Sequence, residues 1–470
     1  MSNDSKYSLS RRKALLGLGT VGVAGAGAGV GTSALFSDTE SFEDNTLTAG
    51  ELNLIVDYGT SVDSTNASAA IDGGQANNGT IDGDVSAEYV LGDVKPGDGG
   101  FLAFCPKVVD NPAWLWAGSN GLTDSENGLT EPEGEVDSTG GDPGDGNGEL
   151  SENIQVTVSY CEYTGGDEDD RGNPENYDTI RELNNPDDYT LADLIKDLRS
   201  GFLLDGEPDH DDGDPSGAQA YPASEGDSDQ AGPCLCVDWE IPIDVGNEIQ
   251  SDSVEFDIQF AAAQERNNSD PEDPFVDATV GPSGDFSTIE SAVDNADSGD
   301  VISVASGTYQ TGNTDGVLDV EDLILEGPNA GIAGDSTDRG SEAVIEGPLF
   351  IGADNICVDG FEIRDTNANS GGPLPGPGAV QLSVGGAYGD SADGTTLRNN
   401  VIVAGTNDNS TNLGFVAEGA VDVTITQNRF TEGGFSATTG AAFASPYEIE
   451  FTNNTQDTTN TIPSDTTFTP

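Results

Sequence analysis

The side chains here that could do chemistry are few in kind. Among 470 residues there are 1 His, 1 Met and 5 Cys, and 15 Lys and Arg stand against 86 Asp and Glu. The one imidazole, His210, sits in the acidic run DHDDGD, where it either joins a weak cation site or is simply solvated. No HExxH motif occurs, so zinc proteolysis has no residues to use. Paired carboxylates can hydrolyse glycosides, but acids are so abundant that no pair stands out. A polysaccharide lyase needs a basic residue, and beyond residue 276 the basic residues are Arg339, Arg364, Arg398 and Arg429. Spacing alone therefore assigns no catalytic residue and no metal ligand.

Oxygen donors recur in loops. NTDGVLDVED at 313–322 has the opening of a calcium loop but lacks an acid twelve positions from its start, and it reads as a solvated turn. GGDPGDGNG at 140–148 invites the same comparison more weakly. No cofactor is expected, and calcium is the one ion these loops leave open.

Cys105, Cys161, Cys234 and Cys236 fall in one region. Four thiols in an oxidising location form two bridges, and neighbours as close as Cys234 and Cys236 seldom pair with each other. Their pairing stays open. A four-thiolate zinc site competes, although the single-residue spacing is not that of a ribbon or finger. Cys357, between Ile356 and Val358, reads as a buried apolar thiol.

These residues must be positioned by a chain of formal charge −71, spread along its length. Self-repulsion on that scale strains a compact fold at low salt, whereas at molar salt the screening length is about 3 Å, so a strongly saline setting is expected. Nucleic acid and anionic lipid are excluded as partners, because both need Lys and Arg. Disorder is disfavoured: 34% of residues are apolar and cluster in short alternating runs between Gly, Asn and Asp. The expected class is all-β.

Ser10, Arg11, Arg12 and Lys13 precede an uncharged stretch at 14–34 that ends Thr32-Ser33-Ala34. This is an export signal of the twin-arginine type with cleavage after Ala34, giving a secreted or cell-surface protein free of the membrane. The rival reading is a retained anchor, which the glycine content disfavours. Asn66, Asn78, Asn267, Asn409 and Asn453 occupy glycosylation sequons.

Beyond the cut, FSDTESFEDNTLTAGELNLIVD, DVKPGD at 93–98, CPKVVDNPAWLW at 105–116 and CVDWEIPIDVGNEIQSDSVEFDIQFAAAQERNN at 236–268 follow in order. Together they resemble the TasA and camelysin family in its haloarchaeal form, which travels with a SipW-type signal. The resemblance covers most of 35–268 and implies a jelly-roll-like β-sandwich found in matrix fibres, where the mature N-terminus can complete a neighbour's sheet. Physically, a sandwich lacking one strand leaves backbone groups unpaired, and a segment with alternate apolar residues can fill the vacancy head to tail. Leu35, Phe36 and Phe42 are the donor-strand candidates; pairing within their own chain is the alternative. The acidic inserts 118–152 and 164–233 depart from the family and are expected to hang as long loops. Inside the second, TLADLIKDLRSGF at 190–202 reads as a short helix with Thr190 as cap and Asp193 completing a capping box, and its one-faced stripe of Leu191, Leu194, Ile195 and Leu198 is expected to pack on the sandwich.

Residues 269–276, SDPEDPFV, form a junction. After it, Thr288 to Asp294 can make one or two helical turns, and then short β runs repeat. Val358, Leu397, Ile425 and Phe451 are followed three residues later by Phe361, Asn400, Asn428 and Asn454, and five residues later by Ile363, Ile402, Phe430 and Gln456. Such a chain winds into coils with like side chains in columns, Asn forming ladders in αL turns, as in a short right-handed parallel β-helix at 277–460 with a loose tail at 461–470. The opening GDFSTIESAVDNADSGDVISVASGTYQ and LILEGPNAG at 323–331 resemble pectin-lyase-like, NosD-type β-helix repeats. Copper, which that resemblance implies, needs His, Met or Cys ligands that are nearly missing here.

The expected function is an exported surface or matrix subunit, fibre-forming or anchoring, whose partners are other copies of itself or related surface proteins and, through the β-helix, glycans. A carbohydrate-active enzyme and a monomeric ligand-binding protein are the alternatives.

Overall fold

The computed structural model describes residues 52–468 except 64–67, 72–77, 83–84, 93, 129–132, 134–143, 146–147, 166–169, 185–188, 209–217, 225–230, 269–270, 312–316, 365–377, 384–391, 404–410, 417–420, 432–434, 438–446 and 457–465. The chain is all-β, and it divides into two compact units between Phe275 and Val276.

The first unit is a sandwich. Its strands are β1 (Asn53–Asp63), β2 (Ser68–Ile71), β3 (Asn78–Asp82), β4 (Val85–Gly92), β5 (Gly99–Val109), β6 (Ala113–Gly118), β7 (Leu122–Glu126), β8 (Gly144–Asp145), β9 (Gln155–Tyr163), β10 (Tyr177–Glu182), β11 (Phe202–Leu204), β12 (Ala223–Ser224), β13 (Cys234–Glu240) and β14 (Ser253–Gln264). One sheet runs β10-β9-β13-β5-β1-β3, with β12 alongside the end of β5. The other runs β11-β6-β14-β4-β2, with β7 on β14 and β8 on β7. Apart from β12, every pairing is antiparallel.

Alternation explains the layering, since period-2 apolar residues point one way. Val56, Leu102, Phe104, Val156, Val158, Leu235 and Val237 from the first sheet meet Leu115, Val254, Phe256, Ile258 and Phe260 from the second. Phe104 and Phe260 lie ring to ring at 5.6 Å. Burying each such side chain is worth roughly 1.5–3 kcal/mol, enough to fix the register of both faces.

The two inserts do not simply hang as loops. The first supplies β7, β8 and helix α1 (Leu150–Asn153); the second supplies β10, β11, β12 and helix α2 (Leu191–Arg199). The reason is that Leu150, Leu191, Leu194, Ile195, Leu198, Leu204 and Tyr221 join the sandwich core, and their strands satisfy backbone groups of β5, β6, β9 and β14. Helix α2 carries the full capping box, Thr190 Oγ1 accepting from the Asp193 N–H and the Asp193 carboxylate accepting from the Thr190 N–H. The junction ends in the sandwich: Phe275 is buried against Gly118, where any side chain would collide with its ring.

The second unit is a parallel β-helix. One face stacks Ala278–Val280, Val301–Val304, Ile324–Glu326, Cys357–Asp359, Thr395–Arg398, Val421–Thr426 and Tyr447–Thr452. A second face begins at Gly307–Gln310 and ends at Thr455–Gln456, and a third runs from Val317–Leu318 to Phe435–Ala437. Short helix α3 (Ile289–Val293), capped by Thr288, precedes the first complete coil. The repeat positions read from the sequence are cross-strand partners: Val358 with Leu397, Leu397 with Ile425, and Ile425 with Phe451. Ile363, Ile402, Phe430 and Gln456 form the matching column on the next face.

Two details differ from expectation. The residues in the left-handed region are Gly360, Asn399, Gln427 and Asn453, each one place before the Phe361, Asn400, Asn428 and Asn454 column. In each turn the left-handed residue comes first and the column residue follows, an Asn in three of the four coils. Within the segment expected to be a loose tail, Thr466–Phe468 pairs antiparallel with Ile449–Phe451 and closes the end of the first face. An open parallel edge there would expose a row of unpaired N–H and C=O groups.

Candidate functional site

On the outer face of the first sheet, β9, β13 and β5 lie side by side, and the period of two brings all four sandwich cysteines onto that face. Cys105 is bonded to Cys234 and Cys161 to Cys236. The sulfurs are thus committed to cross-strand bridges between neighbouring strands. Cys357 is buried in the β-helix with Val276, Val301 and Ile324.

Beside the bridges lies a buried charge triad. Asp57 sits opposite Cys105, and its Oδ2 is 2.5 Å from both Lys107 Nζ and Arg171 Nη1, while Thr80 Oγ1 donates to its Oδ1 at 2.6 Å. Arg171 belongs to the second insert. Its backbone passes so close over β1 that a Cβ on Gly59 would overlap the Arg171 carbonyl, which is why that strand position has no side chain. Tyr163, Tyr177 and Phe101 pack around it. Two of the few basic residues are therefore spent inside the fold.

The sequon residues fall in different places. Asn267 and Asn453 are exposed in left-handed turns, and Asn78 opens strand β3. Asn66, Asn409, His210, the cleavage residue Ala34 and the donor candidates Leu35, Phe36 and Phe42 lie outside the described residues. Of the two calcium-like stretches, 313–322 contributes strand Val317–Leu318 and a turn at Asp322, whose carboxylate accepts from Ser298 and Asn355 side chains. From 140–148, Gly144–Asp145 forms β8 and Gly148 lies against Asp124 Oδ1.

On the β-helix, three of the four arginines are engaged. Arg339 grips Glu342 through two nitrogens, at 2.8 and 2.9 Å, and also donates to the carbonyls of Ile332 and Asn399. Arg398 donates to buried Asp359 at 2.7 Å, and Arg364 to Glu362. Each guanidinium is already engaged by a carboxylate or the backbone. Gln310, Glu346 and Arg364 align on the outer side of the second face, with Gln310 donating to Glu346. This polar row can hydrogen-bond sugar hydroxyls.

The acids that sequence reasoning missed lie in the sandwich. Glu126, Glu133 and Asp252 come together in the interior, with Asp124 beside them. Burial pushes the Asp252 carboxyl up to about 7 against the N–H it accepts from Glu149, and the charges of Glu126, Asp124 and Glu133 add to the rise. In a chain with 86 acids nothing in the sequence singles these out; their convergence depends on β7 pairing with β14.

No protein-family model and no curated protein matches the chain. Among solved structures it is similar to a pectin methylesterase from Aspergillus niger, at 18% identity over 39% of this chain and 67% of that one, with a TM-score of 0.22. It is also similar to the catalytic domain of a GH87 alpha-1,3-glucanase, at 11% identity over 85% of this chain and 74% of that one, with a TM-score of 0.13. Both likenesses are too slight to bear on activity.

Proposed function

We propose that the chain is an exported surface or matrix subunit of the TasA kind, in which the segment released by cleavage after Ala34 pairs with the sandwich of another copy. The β-helix is then displayed for contact with glycans or neighbouring surface proteins. The observation that carries this reading is an edge: among the described residues β3 pairs with β1 alone and β2 with β4 alone, while β1, reached directly from the leading segment, starts at Asn53. Own side chains already fill the sandwich interior beneath α2, leaving a void of about 10 Å³ lined by Leu102, Val156, Leu194, Trp239 and Phe256 among others. An incoming segment carrying Leu35, Phe36 and Phe42 therefore adds at an edge, by strand pairing. Cross-strand disulfides suit a protein that works in an oxidising exterior.

The enzyme reading has less support, because Arg339, Arg364 and Arg398 are bound up in ion pairs. The test is imaging of the mature chain in molar potassium chloride by negative stain. Filaments that vanish on deleting 35–46 support the proposal. A monomeric mature chain, or filaments unaffected by the deletion, overturns it. Release of reducing ends or unsaturated uronates from acidic polysaccharides would shift the reading to an enzyme.

A further inference from the structure

The acidic cluster of the sandwich is built by strand pairing. Strand β7 runs antiparallel to β14 with Ser125 opposite Ser253, so Glu126 and Asp252, the next residue on each side, face one another across the pair. Directly opposed like charges are destabilising on a sheet, and here both are buried, at 2% and 8% exposure. Glu133, fully buried, brings a third carboxylate, and one oxygen from each of the three lies within 4.8 Å of the others.

Each carboxylate of the two strands spends one oxygen on the backbone. Gly128 N–H donates to Glu126 Oε1 at 2.7 Å, and Glu149 N–H to Asp252 Oδ2 at 2.8 Å. Asp124 does the same with Ser151 N–H at 2.6 Å. The second oxygens, Glu126 Oε2, Asp252 Oδ1 and Asp124 Oδ1, are buried without a hydrogen-bond partner. No ion pair to these three residues is present among the described residues. Buried anionic oxygens left in this way are expensive unless a cation meets them.

We propose that Glu126, Glu133 and Asp252 bind one calcium ion, with Asp124 adding charge beside it. Calcium takes oxygen ligands at 2.3–2.6 Å, so two ligands of one ion lie no more than about 5 Å apart, the spacing found here. The donor set is oxygen alone, which selects a hard cation over zinc or copper. Water and carbonyls complete the usual six to eight ligands. The ion ties the end of β7, the first insert and the start of β14 together, so it fastens acidic sequence that otherwise repels itself. This site is separate from the calcium-like stretch at 313–322 and does not depend on polymerisation.

The experiment uses the full mature chain, stripped with chelator and kept in molar potassium chloride so that diffuse binding to the acidic surface is suppressed. Calcium chloride is titrated by calorimetry and its effect on thermal unfolding is recorded. One saturable site and a rise in Tm of about 5 °C are expected. Asp252→Asn and Glu126→Gln should each weaken binding at least about tenfold and abolish the shift, while the exposed control Glu290→Gln/Asp294→Asn leaves both unchanged. A wild-type chain indifferent to calcium, or an Asp252→Asn chain that responds equally, overturns the site, and the cluster is then held by shared protons. A response to magnesium alone overturns the choice of calcium. Should the variants fail to fold, proteolysis of the first insert in the wild-type chain decides: calcium must slow it, and equal cleavage with and without the ion refutes the proposal.

Discussion

Asn400 and Asn428 stand one coil apart in the β-helix, and the side chain of one binds the other: Asn400 Nδ2 donates to Asn428 Oδ1 at 3.1 Å, and the Asn400 N–H reaches the same oxygen at 2.9 Å. Asn428 repeats the contact with Asn454 and sends its Nδ2 to the Leu397 carbonyl at 2.7 Å. A buried ladder of this kind satisfies the turn's backbone groups where the chain bends between the first and second faces.

Replacing Asn428 by Ala orphans donors and acceptors on both neighbouring coils. It is expected to cost about 3 kcal/mol, more than Asn454→Ala at the ladder's end. Urea unfolding of the two variants in molar salt, followed by tryptophan-independent circular dichroism, measures the difference; equal losses would show that the ladder is not cooperative.

The four sandwich cysteines make a sharper test, because Cys161 faces Cys234 across β9 and β13 yet is bonded to Cys236. Peptide mapping of the native chain should recover Cys105 with Cys234 and Cys161 with Cys236. Losing either bridge by paired Ser substitution should cost about 3 kcal/mol in chemical unfolding.

Asp57 is the shared anion for Lys107 and Arg171, all three buried. Asp57→Asn leaves two cations facing each other inside the fold, and a loss of about 3–5 kcal/mol is expected. Because water and ions are excluded there, the loss should be nearly the same at low and molar salt. A loss that shrinks with salt would place the triad effectively at the surface.

Asp273 gives the pH dependence a sign. Burial pushes its carboxyl up to about 7, against the lowering effect of the Phe275 N–H it accepts from, where the ordinary value is 3.8. The folded chain therefore holds this proton over a range in which the unfolded chain has lost it. Its contribution to stability is fully present below pH 3.8 and is lost as pH rises through about 7. Asp273→Asn, which keeps the acceptor, should unfold at a higher temperature than the parent at pH 8, and the gap should close toward pH 4. A constant gap would mean that the residue acts through packing alone.

The local patterns were legible. Period-two runs gave the all-β class, the capping box at Thr190 and Asp193 gave α2, and the columns from Val358 to Phe451 gave the coils with their register, since each of these depends on residues close in sequence or on a repeat of like with like. Outside the α2 stripe the inserts were harder to read, because high Asp, Glu, Gly and Pro content suggests loops while a few residues such as Leu150, Leu204 and Tyr221 decide that they pack.

By itself the sequence determined the charge, the gathering of four cysteines in one region, and the winding of its second half into repeating coils. Which thiols bond, which arginines are spent on Glu342, Glu362 and Asp359, and which few of the many acids converge were decided by tertiary structure alone. The reason is physical: a strand fixes only the direction of its own side chains, whereas the neighbours that set a carboxylate's field or a sulfur's partner can come from far along the chain, as Glu126 meets Asp252 and Cys105 meets Cys234.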